Sequence, residues 1–261
     1  MSQIRVVVSG IHGKMGREAA FAVMGADDLQ LVGGIDPFKP SEVVSELRDV
    51  PVFEDASDCF TTVKPDVLID FTHAKAALTT VDAAVSAGVR PVIGTTGLPA
   101  DFLADIDRRL KDASIGGLHA PNFAIGALLM MRVSELIVRH MPDVEIIEYH
   151  HETKKDAPSG TAKKTAQKLA KVRADVAATA VLGNPDTDRV GLHRTDGIPI
   201  HSVRLPGFIA HQEVIFGGFG ERLTIRHDSM SRTSFMPGVL LGVRSVMAAT
   251  GLVDGLEHFL F

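Results

Sequence analysis

The fold is decided by residues 4–24, which read IRVVVSGIHGKMGREAAFAVM. The first six residues are mostly β-branched and predict a buried strand, whereas the apolar residues of 14–24 recur at helical spacing. Between strand and helix, Gly10, Gly13 and Gly16 form the pattern G-x-x-G-x-x-G. Glycines in such a turn let backbone N–H groups approach a pyrophosphate at the helix N-terminus. The stretch therefore predicts a dinucleotide-binding turn; the alternative left open is a glycine-rich turn that binds nothing.

The residues up to 119 continue this alternation of apolar runs and helical patterns. Strands are predicted at 31–35, 67–71, 91–94 and 114–119, and helices at 75–87 and 99–111, with a less regular stretch at 37–62. Strands that alternate with helices pair in parallel through right-handed crossovers. The first part of the chain is therefore predicted to be a doubly wound α/β domain.

The pattern changes after about residue 122. Helices are predicted at 125–139, from 160 onward and at 234–249, strands at 144–151, 200–205, 211–216 and 222–227, and a mobile loop at the turn-rich stretch 183–199. The glycines at 217, 218 and 220 join the last two strands as in a hairpin. The second part is therefore predicted to be an α+β domain with an open mixed sheet.

The composition narrows the possible classes of protein. With 261 residues, of which 45% are apolar and 23% charged, the chain is long enough for about two domains and too apolar to be disordered. Its net charge of -5 argues against nucleic acid as the main partner. No apolar run approaches the ~20 residues that span a bilayer, so we expect no membrane association. The single cysteine, Cys59, excludes an internal disulfide, and with the lack of a signal-peptide pattern it predicts a cytoplasmic protein.

Asp36 is placed to choose between nicotinamide cofactors. It ends the second predicted strand about 20 residues after the glycine turn, where a carboxylate can bind an adenosine ribose and disfavours a 2′-phosphate. It can also simply begin the turn at Asp36-Pro37. Lys14, Arg17 and Lys39 lie close enough in sequence to accept a phosphate, so NADPH is not excluded.

Two short motifs extend the predicted cofactor site. GTTG at 94–97 and APNF at 120–123 each follow a predicted strand. Parallel strands place such segments at the carboxyl edge of their sheet, where ligands bind. We therefore expect both segments at the cofactor, although the spacing alone also allows two plain turns.

The densest group of reactive side chains is EYHHETKKDAPSGT at residues 148–161. Ser159, Gly160 and Thr161 stand at a predicted helix start, whose N–H groups and dipole favour a carboxylate. Lys154 offers a positive charge and a proton, and a histidine that titrates near neutrality can act as general acid or base. The pattern indicates a site for an anionic substrate; the alternative is a solvated basic loop before an ordinary helix.

Two other kinds of site are excluded by spacing. His151-Glu152 begins like the zinc-protease motif H-E-x-x-H, but the fifth position is Lys155, and nearby ammonium groups oppose a cation. The glycine turn lacks the GK[ST] ending of a phosphate-binding P-loop, because Met15 follows Lys14. We therefore expect no metal.

Taken together, the motifs resemble 4-hydroxy-tetrahydrodipicolinate reductase, or dihydrodipicolinate reductase, a family of bacterial lysine and diaminopimelate synthesis. The resemblance covers essentially the whole chain. It rests on the glycine turn, DFT at 70–72, GTTG at 94–97, APNF at 120–123, the pair His150-His151 with DAPSGT at 156–161, SVRLPG at 202–207 and RHDS at 226–229.

The resemblance implies an enzyme of two domains. A Rossmann-like dinucleotide-binding domain is expected at 1–122 and 232–261, and a substrate-binding and oligomerisation domain at 123–231. The implied reaction is the reduction of (2S,4S)-4-hydroxy-2,3,4,5-tetrahydrodipicolinate, a small cyclic dicarboxylate, to tetrahydrodipicolinate by NADH or NADPH, in a homotetramer built through the second sheet. Two alternatives stay open: another NAD(P)-dependent reductase of a small carboxylate, and a non-catalytic NAD(H)-sensing protein.

Site residues are implied by the same resemblance. His150 is expected to be the general acid/base and Lys154 the proton donor. Substrate is expected at His151, Gly160 and Thr161. The cofactor is expected at Gly10, Ile11, His12, Gly13, Lys14, Met15, Asp36, Gly94, Thr95, Thr96, Ala120, Pro121, Asn122 and Phe123.

Three positions depart from the family pattern. Glu152 and Thr153 stand where relatives are often basic, which is expected to weaken the attraction of an anionic substrate. Pro37 stands where some members have an arginine beside the acidic residue, which leaves the phosphate preference open.

Overall fold

The computed structural model describes residues 3–38, 44–176 and 192–261. The chain divides into two compact units. One comprises Met1–Phe123 and Phe235–Phe261, and the other Ala124–Ser234. The C-terminal segment therefore returns to the unit in which the chain begins.

The first unit opens with alternating strands and helices. In chain order these are β1 (Ile4–Ser9), α1 (Lys14–Met24), β2 (Leu29–Ile35), β3 (Val52–Phe53), α2 (Ala56–Val63), β4 (Val67–Asp70), α3 (Ala74–Ser86), β5 (Arg90–Ile93), α4 (Ala100–Asp112) and β6 (Gly116–His119). A short 3-10 helix, Ser45–Leu47, precedes β3.

The second unit and the returning segment complete the chain. The second unit contains α5 (Ile125–Ile137), β7 (Asp143–His150), α6 (Gly160–Val176), β8 (Leu192–Thr195), β9 (Ile198–Arg204), β10 (Ala210–Gly218) and β11 (Glu221–Ser229). A short 3-10 helix, Arg232–Phe235, precedes the returning segment. That segment contains α7 (Met236–Ser245), β12 (Gly251–Asp254) and a last 3-10 helix, Leu256–Phe259.

The first unit is built on a parallel sheet with the strand order β12-β6-β5-β4-β1-β2-β3. The central strands are fully buried and apolar, as in Val6–Val8 and Val67–Ile69, because helices cover both faces of such a sheet. The order from β3 to β6 is that of the Rossmann fold, and it reverses between β1 and β4. The doubly wound prediction is confirmed, and the reversal sets the sheet edge where ligands bind in such folds.

The second unit is built on a mixed sheet with the order β11-β10-β7-β9-β8. Its central strand, β7, runs antiparallel to β10 and parallel to β9. Val144 and Ile146 of β7 pack into a core with Ala162, Ala166 and Leu169 of α6. Because side chains alternate along a strand, those of residues 148 and 150 lie on the same face of β7 as Val144 and Ile146, the face that α6 covers. The predicted α+β domain with a mixed sheet is confirmed.

Two expectations for the first unit were incomplete. The stretch 37–62, predicted to be less regular, contains β3 and most of α2. Asp55 caps α2 by accepting the N–H of Asp58 at 3.0 Å. The final helix is shorter than the predicted 234–249, since α7 covers Met236–Ser245 and is followed by β12, which pairs with β6.

The loop predicted at 183–199 is wrong for its last eight residues. Residues 192–199 belong to the antiparallel hairpin of β8 and β9, while 183–191 lie outside the described residues. Asp196 and Gly197 form the hairpin turn with φ of 50° and 78°. Such a pair of left-handed residues matches the twist of two strands, and Asp-Gly is a strong signal for it.

Two further features bear on the class of protein. None of the described helices is both long and apolar enough to cross a membrane. Cys59 is a free, buried cysteine, and burial raises the pKa of its thiol to about 12. A thiol of that kind stays neutral and is a poor nucleophile.

Candidate active site

The glycine turn folds tightly between β1 and α1. Gly10, with a φ of +72°, donates its N–H to the carbonyl of Ile35 at 2.8 Å, and Gly13 donates to the carbonyl of Gly10 at 2.9 Å. A Cβ atom on Gly16 would lie 1.9 Å from that same carbonyl oxygen, so only glycine lets the helix start this close to the turn. The first-turn N–H groups of α1 have no carbonyl partner within the helix. The turn therefore fits the pyrophosphate of a dinucleotide.

Asp36 binds the glycine turn from the end of β2. Its carboxylate accepts the N–H of His12 at 3.0 Å and the N–H of Phe38 at 3.0 Å, and its side chain is largely buried. Arg17 donates to the carbonyl of His12 at 3.3 Å, which keeps one guanidinium beside the turn. Lys39, the other cation near Asp36 in sequence, lies outside the described residues. Asp36 is thus both a turn-holding residue and a negative charge at the sheet edge.

A cleft of about 520 Å³ opens beside this turn, within the size range of small-molecule sites. Its lining includes Gly10, Gly13, Asp36, Phe38, Thr72 and His73. Glycine backbone, one carboxylate and an exposed aromatic ring are the chemistry that a phosphate, a ribose and an adenine would meet. The cleft therefore fits the adenosine half of a nicotinamide dinucleotide.

Asp70 joins the ends of β4 and β5, and the site prediction had missed it. Its fully buried carboxylate accepts hydrogen bonds from the Thr95 hydroxyl at 2.5 Å and the Thr72 hydroxyl at 3.0 Å. Its carbonyl accepts the N–H of Gly94 at 2.9 Å. Burial raises the pKa of Asp70, against the opposing effect of these hydroxyls. A carboxyl ending the apolar strand sequence VLID was the signal that could have identified it.

The segment 120–123 reaches the same edge through two contacts. Ala120 donates its N–H to the carbonyl of Ile93 at 2.9 Å. The Phe123 ring meets the Phe71 ring edge-on, with 5.7 Å between centroids and 67° between planes. The turns after β4, β5 and β6 are therefore gathered at one edge of the parallel sheet, as the strand directions predicted. The side chain of Ile11, another expected cofactor residue, is buried against Gly34.

The second unit holds a buried carboxylate at the end of β7. Glu148 Oε2 lies 2.5 Å from His150 Nδ1. Arg204 of β9 donates two hydrogen bonds, of 2.8 and 2.7 Å, to the same carboxylate. Burial alone would raise the pKa of Glu148, but the hydrogen bonds from His150 and Arg204 outweigh it and lower the pKa to about 2. Glu148 is therefore ionised at neutral pH and accepts hydrogen bonds from both neighbours.

The loop 151–159 carries the other polar groups of this cluster. Lys154 Nζ lies 2.7 Å from Asp156 Oδ1, and this hydrogen bond lowers the pKa of Asp156. His151 Nδ1 lies 2.7 Å from the hydroxyl of Thr153. The two adjacent histidines therefore have different partners, as expected for neighbouring residues at a strand end.

The start of α6 differs from the expectation in one respect. Ser159 caps the helix, since its hydroxyl accepts the N–H of Ala162 at 3.2 Å. The N–H of Ser159, which was expected to bind a ligand carboxylate, instead donates to Glu148 Oε1 at 3.1 Å. Gly160 and Thr161 provide the first-turn N–H groups beyond it. The N–H of Ser159 therefore already has a carboxylate partner within the chain.

The sequence-predicted residues fall into two groups. All of the expected cofactor residues lie in the first unit, whereas His150, His151, Lys154, Gly160 and Thr161 lie in the second. Within the part of the chain that the structure describes, no group of three or more His, Cys, Asp or Glu side chains is arranged to hold a metal ion.

The fold and the two groups of residues define a class of protein. A Rossmann-type sheet with a glycine turn is typical of dinucleotide-dependent oxidoreductases, and the second unit adds a histidine that is hydrogen-bonded to a carboxylate. Residues 4–123 match the family model for the N-terminus of dihydrodipicolinate reductase, and residues 126–260 match the model for its C-terminus. The chain belongs to the dihydrodipicolinate reductase family.

Individual relatives agree with the family models. The 4-hydroxy-tetrahydrodipicolinate reductase of Geobacillus thermodenitrificans is 48% identical, with 98% of this chain and 99% of the relative covered. That of Desulfitobacterium hafniense is 44% identical over the whole of both chains. A solved structure of dipicolinate-bound dihydrodipicolinate reductase from Paenisporosarcina sp. TG-14 superposes with a TM-score of 0.85 at 43% identity, covering 98% of this chain and 99% of that one.

These similarities confirm the family resemblance, the fold class and the reductase class of enzyme that the sequence predicted. A reductase with a Rossmann-type unit uses a nicotinamide cofactor. The roles of individual residues and of the two units remain predictions.

Proposed function

We propose that this chain reduces (2S,4S)-4-hydroxy-2,3,4,5-tetrahydrodipicolinate to tetrahydrodipicolinate with NADH or NADPH, as a step of lysine and diaminopimelate biosynthesis. The observation that carries the proposal is the cluster at the end of β7, where His150 is held by Glu148 beside the start of α6. A proton-transfer group next to an anion-binding helix end is what the reduction of a dicarboxylate requires.

The substrate and the product fix the chemical balance of the reaction. The hydroxyl group leaves as water, and one hydride and one proton are gained. A bound NADH or NADPH would supply the hydride. The chain must then bind two carboxylates, deliver a proton and exclude bulk water from the reacting carbons.

His150 is proposed as the general acid/base and Lys154 as the proton donor. The Nδ1 atom of His150 is engaged by Glu148, so Nε2 is the nitrogen left for proton transfer. Lys154 holds its ammonium group against Asp156 at 2.7 Å, a contact that a substrate carboxylate would replace or share. Both residues can stabilise or neutralise negative charge that develops after hydride transfer.

Substrate carboxylates are proposed to bind at the start of α6. The first-turn amides of Gly160 and Thr161 and the positive end of the helix dipole favour an anion. Open space around Gly160, where a Cβ atom would meet nothing within 4 Å, supports the close approach of a ligand to its backbone. His151 adds a polar ring on the adjoining loop.

The cofactor is proposed to lie at the carboxyl edge of the parallel sheet. The amides of Lys14 and Met15 at the start of α1 would bind the pyrophosphate, and Asp36 the adenosine ribose. The turns at 94–96 and 120–123 would contact the remainder of the nucleotide, and their position at the same edge of the sheet supports this. We propose that no metal takes part, since an imidazole and an ammonium group supply the acid chemistry.

We also propose a homotetramer that assembles through the second sheet. Support comes from Ile147 and Ile215, which are partly exposed and lie on the face of the sheet opposite the core side chains Ile146 and Val214. A cytoplasmic location is proposed as well, and the unpaired Cys59 suits a reducing compartment. Nucleic acid and membranes are not proposed as partners.

The test is a coupled assay with purified protein. The preceding synthase makes the substrate in place from pyruvate and aspartate semialdehyde, and absorbance of NADH or NADPH is followed in separate cuvettes. We expect oxidation of the nucleotide only when the synthase is present. A folded chain that binds NADH but does not oxidise it, whichever carboxylate is added, would indicate a sensing protein. Activity only on a different carboxylate would indicate another reductase.

A further inference from the structure

The Glu148 carboxylate is the shared partner of three separate parts of the second unit. Oε2 contacts His150 Nδ1 at 2.5 Å and Arg204 Nη1 at 2.8 Å. Oε1 contacts Arg204 Nη2 at 2.7 Å and the Ser159 N–H at 3.1 Å. Each oxygen therefore accepts two hydrogen bonds, which matches the two lone pairs that a carboxylate oxygen offers.

The charge of Glu148 is compensated by a residue far away in sequence. Its side chain is fully buried, and an isolated buried carboxylate would be strongly destabilising. Arg204 provides the bidentate geometry that makes such a pair stable and also donates to the carbonyl of Asp156 at 2.7 Å. The same guanidinium thus fixes the carboxylate and the loop 151–159.

The consequence for His150 follows from hydrogen-bond chemistry. An ionised carboxylate only accepts hydrogen bonds, so the His150 nitrogen that faces it must carry the proton. This places the ring proton on Nδ1 in the neutral imidazole and leaves Nε2 with a lone pair. The same carboxylate binds the His150 ring and the N–H of Ser159, the residue before α6, so it links the ring to the start of the helix.

We propose that Glu148 is a positioning residue for the reduction, acting with Arg204 to fix the tautomer and the orientation of His150 relative to the start of α6. The inference rests on the proposed role of His150 as general acid/base. A residue in this position does not touch the substrate, so its loss is expected to lower kcat and to leave cofactor binding unchanged.

The tautomer is measured directly on the native protein. Long-range ¹⁵N–¹H correlation spectra distinguish the two ring nitrogens, and the His150 signals are identified by their loss in His150→Gln. At a pH where the ring is neutral, we expect the proton on Nδ1. A neutral ring protonated on Nε2 would overturn the proposal.

Kinetics of matched variants supply the second test. Glu148→Gln is expected to lower kcat about 10²-fold, with the KM for the nucleotide within about twofold of native. Glu148→Asp keeps the charge and is expected to retain more activity than Gln. The control is Glu135→Gln on α5, whose carboxylate lies 3.2 Å from Arg132 Nη1 and where native kcat is expected.

One more variant guards against a folding defect. Glu148→Gln leaves the guanidinium of Arg204 without its carboxylate, which can unfold the protein. The double variant Glu148→Gln/Arg204→Gln removes both charges, so its low kcat would report positioning alone. Native kcat in the folded double variant would overturn the proposal. A native chain that fails to reduce the substrate would instead refute the proposed function, whereas the spectra would still decide the tautomer.

Discussion

The backbone N–H of His12 donates a 3.0 Å hydrogen bond to the carboxylate of Asp36. The glycine turn after β1 and the end of β2 are thus held together by a negative charge at the edge where the cofactor is proposed to bind. A carboxylate in this position repels a 2′-phosphate. It also accepts hydrogen bonds from the N–H groups of His12 and Phe38, which could otherwise bind a phosphate.

Replacing Asp36 by alanine is therefore expected to favour NADPH. The change removes the repulsive charge and frees both N–H groups, so the ratio of kcat/KM for NADPH to that for NADH should rise about tenfold, which is about 1.4 kcal/mol. Asp27→Ala removes the same charge from an exposed site near the other end of β2 and should leave the ratio unchanged. An unaltered ratio in Asp36→Ala would show that another residue discriminates.

Asp70 is expected to matter more for cofactor binding than for stability. In Asp70→Asn the side chain loses its charge and one of its two acceptor oxygens becomes an N–H donor, so the hydrogen bonds that position the hydroxyls of Thr72 and Thr95 weaken, and the Kd for NADH or NADPH should rise about tenfold. The free energy of unfolding at neutral pH should change by less than about 1 kcal/mol, because removing a buried charge offsets the lost hydrogen bonds. Nucleotide titration and urea unfolding measure the two effects.

The control for this change lies at the other end of β4. Asp66 accepts the N–H of Arg5 at 2.8 Å, away from the carboxyl edge. Asp66→Asn should leave nucleotide affinity at its native value. Equal losses of affinity in both variants would mean that the sheet as a whole, rather than the edge, responds to the substitution.

His150 is expected to act in proton transfer and not in cofactor binding. His150→Gln should lower kcat by about 10²–10⁴-fold with little change in the Kd of the nucleotide. His140→Gln is the matched control, because His140 is an exposed histidine that follows α5 in the same unit. Native turnover in His150→Gln would remove it from the mechanism.

Glu148 should make stability depend on pH in the acid range. Its pKa is about 2 in the folded chain against 4.5 for an ordinary glutamate, so its stabilisation is fully present above about pH 4.5 and is lost as the pH falls towards 2. Between about pH 6 and pH 3, the native chain should lose about 2 kcal/mol more unfolding free energy than Glu148→Gln/Arg204→Gln. Urea unfolding at the two pH values measures this difference, and equal losses would contradict the lowered pKa.

The sequence predicted the parallel sheet well because buried strands leave a plain signal. Val6–Val8 and Val67–Ile69 are apolar without interruption, as strands covered on both faces must be. The helix α2 left a weaker signal, since ASDCFTTV has two threonines and a valine that do not favour helices. Its N-cap, Asp55, was the available sign of a helix start.

The reactive residues were easier to find than the residues that hold them. His150 and Lys154 stand out by residue type and by their place before a helix start. Arg204 is 56 positions away from Glu148, and only the parallel pairing of β7 with β9 brings them together. Such long-range pairs depend on strand register, which local sequence patterns do not determine.

The most direct test of the proposed reduction follows the hydride itself. The chain is incubated with synthase-made substrate and with NADH or NADPH carrying deuterium at either face of the nicotinamide C4, and the product is analysed by mass spectrometry. We expect tetrahydrodipicolinate that is heavier by one deuterium with one of the two labelled faces and unlabelled with the other. Tetrahydrodipicolinate that is absent, or that carries no deuterium from either face, would contradict hydride transfer by this protein.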